Sequence, residues 1–141
     1  KLDIACVLID VKKLKKIGFF DEDFFLYWED ILLIDKVNKS NYKMIVANNI
    51  KAIHDSGSST SNNVSIKFIR DSNFKYGELL YDYKLFKLRK LKIIRQLFQN
   101  IFFFTFRLFL FRKKEYLHNL ANIYGILKFL MFLFRKIFFF N

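Results

Sequence analysis

Two kinds of apolar pattern divide the chain near residue 63. Before it, apolar residues come in short unbroken runs separated by polar turns. After it, they recur every three to four positions for almost eighty residues. The run at 4–9 has the length and continuity expected of a strand buried on both faces. Asp10 then stands where it can cap a short helix over 11–16, with Val11, Leu14 and Ile17 spaced by three, and Gly18 fits a left-handed stop. The acidic-aromatic stretch 18–30 leads into a helix over 29–40 with Leu33, Ile34 and Val37 on its inner face. Short strands are expected over 43–47 and 50–54, joined by a turn at Asn48-Asn49, and the small polar residues 55–63 read as a flexible loop. Alternating strands and helices make this head α/β, over residues 1–63.

Residues 64–141 read as a helical tail. One helix is expected over 64–76 and a second over 78–98, where Leu88, Leu91, Ile94 and Phe98 line one face. The stretch 101–111 is apolar except for Thr105 and Arg107. The last segment, 115–140, places Glu115, His118, Asn122, Lys128 and Arg135 on one narrow stripe of an otherwise apolar helix.

Charge sharpens this division. Residues 1–63 hold 9 lysines against 9 acids, whereas residues 64–141 hold 16 Lys and Arg against 4 acids, so the tail carries the whole net charge of +12. Such a tail calls for a polyanionic partner. Its phenylalanines run together, as at 102–104 and 138–140, instead of standing singly among cations, which disfavours nucleic acid. No unbroken apolar run reaches the roughly 20 residues of a spanning helix. Apolar helices edged with Lys and Arg suit the interface plane of an anionic bilayer, with Arg107, Lys128 and Arg135 as membrane-contact residues. The expected location is peripheral, on the cytoplasmic face of the inner membrane. The single cysteine, Cys6, sits in an apolar run and is expected to be a buried thiol in a reducing compartment. The chain begins at Lys1 and enters a strand-like run at once, so it reads as the second half of something larger.

Four pieces then share one order: Ala5-Cys6-Val7-Leu8-Ile9, Ile17-Gly18-Phe19-Phe20-Asp21-Glu22-Asp23-Phe24-Phe25-Leu26-Tyr27-Trp28-Glu29-Asp30, Asn41-Tyr42-Lys43, and Ile53-His54 before a Gly/Ser loop. Together they resemble family 2 glycosyltransferases of the GT-A fold, and among these the rhamnosyltransferase type that builds cell-surface polysaccharide. The resemblance implies the C-terminal half of a GT-A domain, and an inverting transfer from a nucleotide-diphospho-sugar donor to a lipid-linked or glycan acceptor. It implies Asp30 of the Glu29-Asp30 pair as catalytic base and His54 as a ligand of a Mg²⁺ or Mn²⁺ ion. Phe25, Tyr27 and Trp28 would line the acceptor site. A carboxylate in a helix's first turn stays ionised beside unpaired backbone N–H groups, as a proton acceptor must. The fragment alone is expected to be inactive, because the family's Asp-x-Asp and donor-binding strands lie outside it; Asp21-Glu22-Asp23 has that spelling but falls in the acceptor loop. The alternative is a non-catalytic membrane-bound adaptor with a degenerate transferase head.

Overall fold

Among the described residues five helices form in chain order: α1 (Val11–Ile17), α2 (Glu29–Asn38), α3 (Val64–Lys84), α4 (Lys90–Phe109) and α5 (Lys113–Phe139). The structure, a computed structural model, describes residues 7–51, 53 and 63–139.

Among the described residues there is no strand, and this overturns the α/β expectation. A GT-A domain is built on a central sheet, so the resemblance to family 2 glycosyltransferases is overturned with it. The physical reason is the want of partners. A strand of five or six residues is stable only with ladder neighbours and a second layer to cover it. The expected strand at 43–47 runs as unpaired chain, with Met44, Ile45 and Val46 all exposed. Of the expected strand at 50–54, the residues described are likewise irregular; His54 lies outside them. Of the expected strand at 4–9, residues 7–9 are irregular, and the rest, Cys6 included, lies outside the described residues.

The local helix signals act as read. The Asp10 carboxylate accepts from the backbone N–H groups of Lys12 and Lys13, and Gly18 closes α1 with φ +80°. In the tail the boundaries shift. Gly77 does not interrupt α3, because a bare Cα is what lets Trp28 lie against it: a Cβ there would meet the indole Cδ1 at 2.7 Å. The break comes instead at residues 85–89, where Phe86 takes φ +56° and Lys87 N–H bonds back to the Asp82 carbonyl.

The contacts of α5 fix the arrangement of the three long helices. On the whole its pairings with α3 rise along both helices, from His118 with Asp71 and Lys128 with Asn73 to Phe129 and Phe132 with Tyr76 and Tyr83. These two helices therefore run parallel. Pairings with α4 run oppositely, Arg107 with Glu115, Phe104 with Tyr116, and Asn100 with Asn122, so α4 and α5 form an antiparallel hairpin. The core gathers Leu79, Leu80, Ile126 and Phe129, all fully buried, with Ile93 of α4 and Phe24 and Leu32 from the acidic-aromatic segment and α2.

The α3–α5 contact is close because the facing residues are small. Ser72, Ala121 and Gly125 are all buried there. Small residues let two helix backbones approach in this way.

One carboxylate ties α3 to α4. Glu78 accepts from Lys75 at 2.6 Å, from Lys92 at 2.9 Å and from the Gln96 amide at 3.1 Å. Burial alone would raise its pKa, but these three donors outweigh it and hold the group at about 2, against an ordinary value of 4.5. A depressed folded-state pKa gives stability that is present above about 4.5 and lost as pH falls toward 2. The thermal midpoint is therefore expected to drop across that window, and Glu78→Gln to flatten the drop while lowering the midpoint at pH 7. An unchanged acid limb in the variant would remove Glu78 as its source.

Candidate functional site

Tail helices of an ordinary soluble bundle turn apolar residues inward and polar residues outward. Here α4 does much of the reverse. Leu91, Ile94, Phe98, Ile101, Phe102, Phe106 and Phe109 follow one another at spacings of three and four, apart from the adjacent pair Ile101 and Phe102, and every one is exposed. Phe98, Phe102 and Phe109 are 69%, 64% and 80% exposed. The opposite face turns Gln96, Asn100 and Arg107 toward α3 and α5 beside Ile93, Leu97 and Phe104.

Most of the inward polar groups satisfy one another, the Gln96 side-chain oxygen being buried without a partner. Asn100 Oδ1 accepts from the side-chain amides of Asn119 and Asn122, each at 3.1 Å. Asn119 is buried and takes a second bond from Arg107 at 2.6 Å, while the Arg107 guanidinium also pairs with Glu115 at 3.2 Å and covers the Phe103 ring. Each amide left unpaired in this layer would cost about 1–3 kcal/mol, so the bonds fix the hairpin's register.

Helix α5 repeats the design. Its exposed stripe is Leu120, Tyr124, Leu127, Met131, Phe134 and Phe138. The polar stripe read from the sequence faces the protein through most of its length: Glu115 and Asn122 reach α4, and His118 reaches Asp71 of α3 at 2.8 Å. Lys128 is partly buried, donating to Asn73 Oδ1 at 2.7 Å beneath the Tyr76 ring, and desolvation lowers its pKa. Of the three expected membrane-contact residues, Arg107 and Lys128 thus point into the bundle, and Arg135 is exposed. The exposed cations sit at the ends of the apolar stripes: Arg89, Lys90 and Arg95 at the start of α4, Arg112, Lys113 and Lys114 at the turn, and Arg135 near the end of α5. Helix α5 is long and apolar enough to cross a membrane by length and composition.

The acidic-aromatic segment is built differently. Lys84 of α3 clamps it, bonding Asp21 at 2.8 Å and Asp23 at 2.5 Å, and the Tyr76 hydroxyl donates to the Asp23 carbonyl. Burial works against the charged form of Asp21, yet the Lys84 ammonium holds its pKa below the ordinary value. Tyr27 and Trp28 both lie in the left-handed region, at φ +68° and +73°, immediately before α2. Trp28 packs on Phe74 and Tyr81, whereas Phe25 is 75% exposed.

The residues expected to do chemistry are thereby placed. Asp30 Oδ1 accepts from the backbone N–H of Ile31 at 2.8 Å, and Glu29 beside it keeps one carboxylate oxygen buried without a partner, as is the indole N–H of Trp28. Asp30, Glu29, Tyr27 and Trp28 are brought together by the entry into α2. His54 lies outside the described residues. Among the described residues no three His, Cys, Asp or Glu side chains converge as a metal site. Asp21 and Asp23 are engaged by Lys84, so the described side chains do not by themselves make a Mg²⁺ or Mn²⁺ site.

The interior polar layer escaped the sequence reading. Its signal was present in Asn100, Asn119 and Asn122, but only the antiparallel pairing of α4 with α5 brings those amides together. No family model, no curated protein and no solved structure matches this chain.

Proposed function

We propose that this chain is a membrane-surface adaptor, which holds its head on an anionic bilayer by laying α4 and α5 in the interface. The observation that carries the reading is the inverted polarity of the α4–α5 hairpin. Polar side chains that face a partner helix, with large apolar side chains turned out, fit a helix pair whose outer face meets hydrocarbon. Cations at both ends of the stripes complement anionic headgroups, each worth about 1 kcal/mol at such a surface. Water on the same face would have to solvate a continuous row of phenylalanines. In-plane seating is favoured over crossing because Arg112, Lys113 and Lys114 cap the turn of the hairpin, where a crossing would draw them through the hydrocarbon. The seat is placed on the cytoplasmic face of the inner membrane, whose anionic lipids the tail's charge suits.

Vesicle flotation tests this. The protein is expected to float with vesicles containing anionic phospholipid at low salt, and to float less with purely zwitterionic vesicles. A protein that stays in the aqueous fraction with both, or that hides the stripes in a soluble oligomer, contradicts the proposal.

A second reading, transfer of a sugar from a nucleotide-diphospho-sugar to a lipid-linked acceptor, is favoured by one observation. Two consecutive non-glycine residues, Tyr27 and Trp28, hold left-handed backbone just before Glu29-Asp30. Strain of this kind costs about 1–3 kcal/mol per residue and gathers at functional sites. In this reading Asp30 takes the proton of the acceptor hydroxyl, and a Mg²⁺ or Mn²⁺ ion accompanies the donor. Any nucleotide diphosphate release shown by a polypeptide that also carries the donor-binding part should then fall at least about 100-fold in Asp30→Asn, with vesicle flotation unchanged. Undiminished release by the variant removes Asp30 from the role.

A further inference from the structure

Because α3 and α5 run parallel, their N-termini lie at the same end of the molecule. There they enclose a cleft of about 360 Å³ lined by Val64, Lys67, Phe68, Asp71, Lys114, Leu117 and His118. That volume lies within the range of small-molecule sites. The two lysines come from different helices, and neither ammonium has a carboxylate partner among the described residues. Most acids of the long helices are otherwise engaged: Glu78 with Lys75 and Lys92, Asp82 with Lys92, and Glu115 with Arg107 and Arg112. The one carboxylate in the cleft, Asp71, is turned to His118 Nδ1 at 2.8 Å, and the other ring nitrogen meets the Asn122 amide at 3.3 Å. His118 is thus held as part of the wall with Asp71 hydrogen-bonded to it, and the cleft carries two cations, Lys67 and Lys114, neither of them paired with that carboxylate. Both helices also present the positive ends of their dipoles here.

We infer that this cleft binds a phosphate monoester, and that its source is the headgroup of an anionic phospholipid. A phosphate monoester carries about −1.5 to −2 charges at neutral pH, which matches two ammonium groups better than a diester or a carboxylate does. Val64, Phe68 and Leu117 supply apolar wall for the adjoining glycerol and acyl carbons. The position agrees with a lipid source. Phe109, Leu110 and Phe111 form an exposed apolar turn directly before Arg112, Lys113 and Lys114, with Phe111 91% exposed. A turn that dips among acyl chains leaves Lys114 at headgroup depth. The inference rests on the membrane-surface reading for its source of ligand, though the cleft's chemistry stands apart from it.

The test compares vesicles of equal surface charge made with phosphatidic acid, a monoester, or phosphatidylglycerol, a diester. The intact chain is expected to prefer phosphatidic acid about tenfold, one charge-assisted hydrogen bond's worth. Lys67→Ala/Lys114→Ala should bring that preference to about one while binding to both vesicles persists. The control Lys87→Ala/Lys90→Ala, which removes two exposed lysines elsewhere, should weaken both equally and keep the preference. Equal affinity of the intact chain for the two lipids, or a preference that survives in Lys67→Ala/Lys114→Ala, overturns the inference. Failure of the intact chain to bind any vesicle would defeat the surface reading and the lipid source, and leave the cleft to an NMR titration with glycerol 3-phosphate. Shifts centred on Lys67, Lys114 and His118 would then assign it to a soluble monoester, and their absence overturns the site.

Discussion

Replacing Gly125 by valine is expected to lower the stability of the fold by about 3 kcal/mol, with a fall of roughly 10 °C in the thermal midpoint. A Cβ at this position would strike the Ser72 carbonyl oxygen and meet Lys75 Cβ at 2.9 Å and Tyr76 N at 3.1 Å. Two of these three atoms are backbone, so a rotamer change relieves nothing and α3 must move away from α5. That movement opens the layer around Leu79, Leu80, Ile126 and Phe129, the largest fully buried side chains among the described residues. Gly125→Ala makes the sharper comparison. Helix propensity alone favours alanine by about 1 kcal/mol, whereas the close approach disfavours it. A midpoint that rises in Gly125→Ala would show that the two helices are farther apart than described. Thermal unfolding followed by circular dichroism reads both variants.

The second large effect concerns the surface, with the fold left intact. Phe98→Glu/Phe102→Glu/Phe109→Glu is expected to weaken binding to anionic vesicles by at least about 100-fold. Three phenylalanine rings leaving the hydrocarbon would each forgo about 1 kcal/mol or more, and three carboxylates would face a surface of their own sign. All three side chains point outward from α4, so the variant should keep its helix content and gain solubility. Addition of salt discriminates further. A purely electrostatic attachment vanishes as the Debye length shrinks, whereas the native chain should retain part of its binding through the apolar stripes. Vesicle binding by the triple variant within about twofold of the native chain would mean that α4 does not touch the bilayer.

The sequence was legible where the signal is local and misleading where it is relational. Asp10 and Gly18 announce the ends of α1, and the structure uses both as caps because each acts on its immediate neighbours. The apolar period after residue 63 announces long helices, and these form. The 43–47 run reads as a strand because β-branched and aliphatic residues suit one, but a strand is a relation between segments, and among the described residues nothing pairs with it. Gly77 looks like a helix breaker, yet Trp28, far away in sequence, fits against its bare Cα and α3 continues. The stripe of Glu115, His118, Asn122 and Lys128 is plain in the sequence as a stripe. Which way it faces is not, since a polar stripe turns outward in water and inward in hydrocarbon.

Much the same holds for the acidic-aromatic stretch. Its composition marked it as distinctive, and the structure gives it a clear structural office: Lys84 gathers Asp21 and Asp23, Phe24 enters the core, and Trp28 seals α3. The backbone strain at Tyr27 and Trp28 could not be foreseen, because neither residue favours a positive φ. It follows from the demand that the chain turn sharply into α2 while the indole remains against Gly77.

The central claim is that the outward stripes of α4 and α5 lie in lipid at one depth. Single nitroxide labels at Phe98, Phe102 and Phe109 on α4, and at Tyr124, Met131 and Phe138 on α5, in a Cys6→Ser background, measure this through collision with oxygen and with a water-soluble nickel complex. On adding anionic vesicles, all six labels should become oxygen-accessible and nickel-protected, at similar shallow depths. Labels that remain open to nickel, or whose depth on α5 grades from one side of the bilayer to the other, would contradict in-plane attachment.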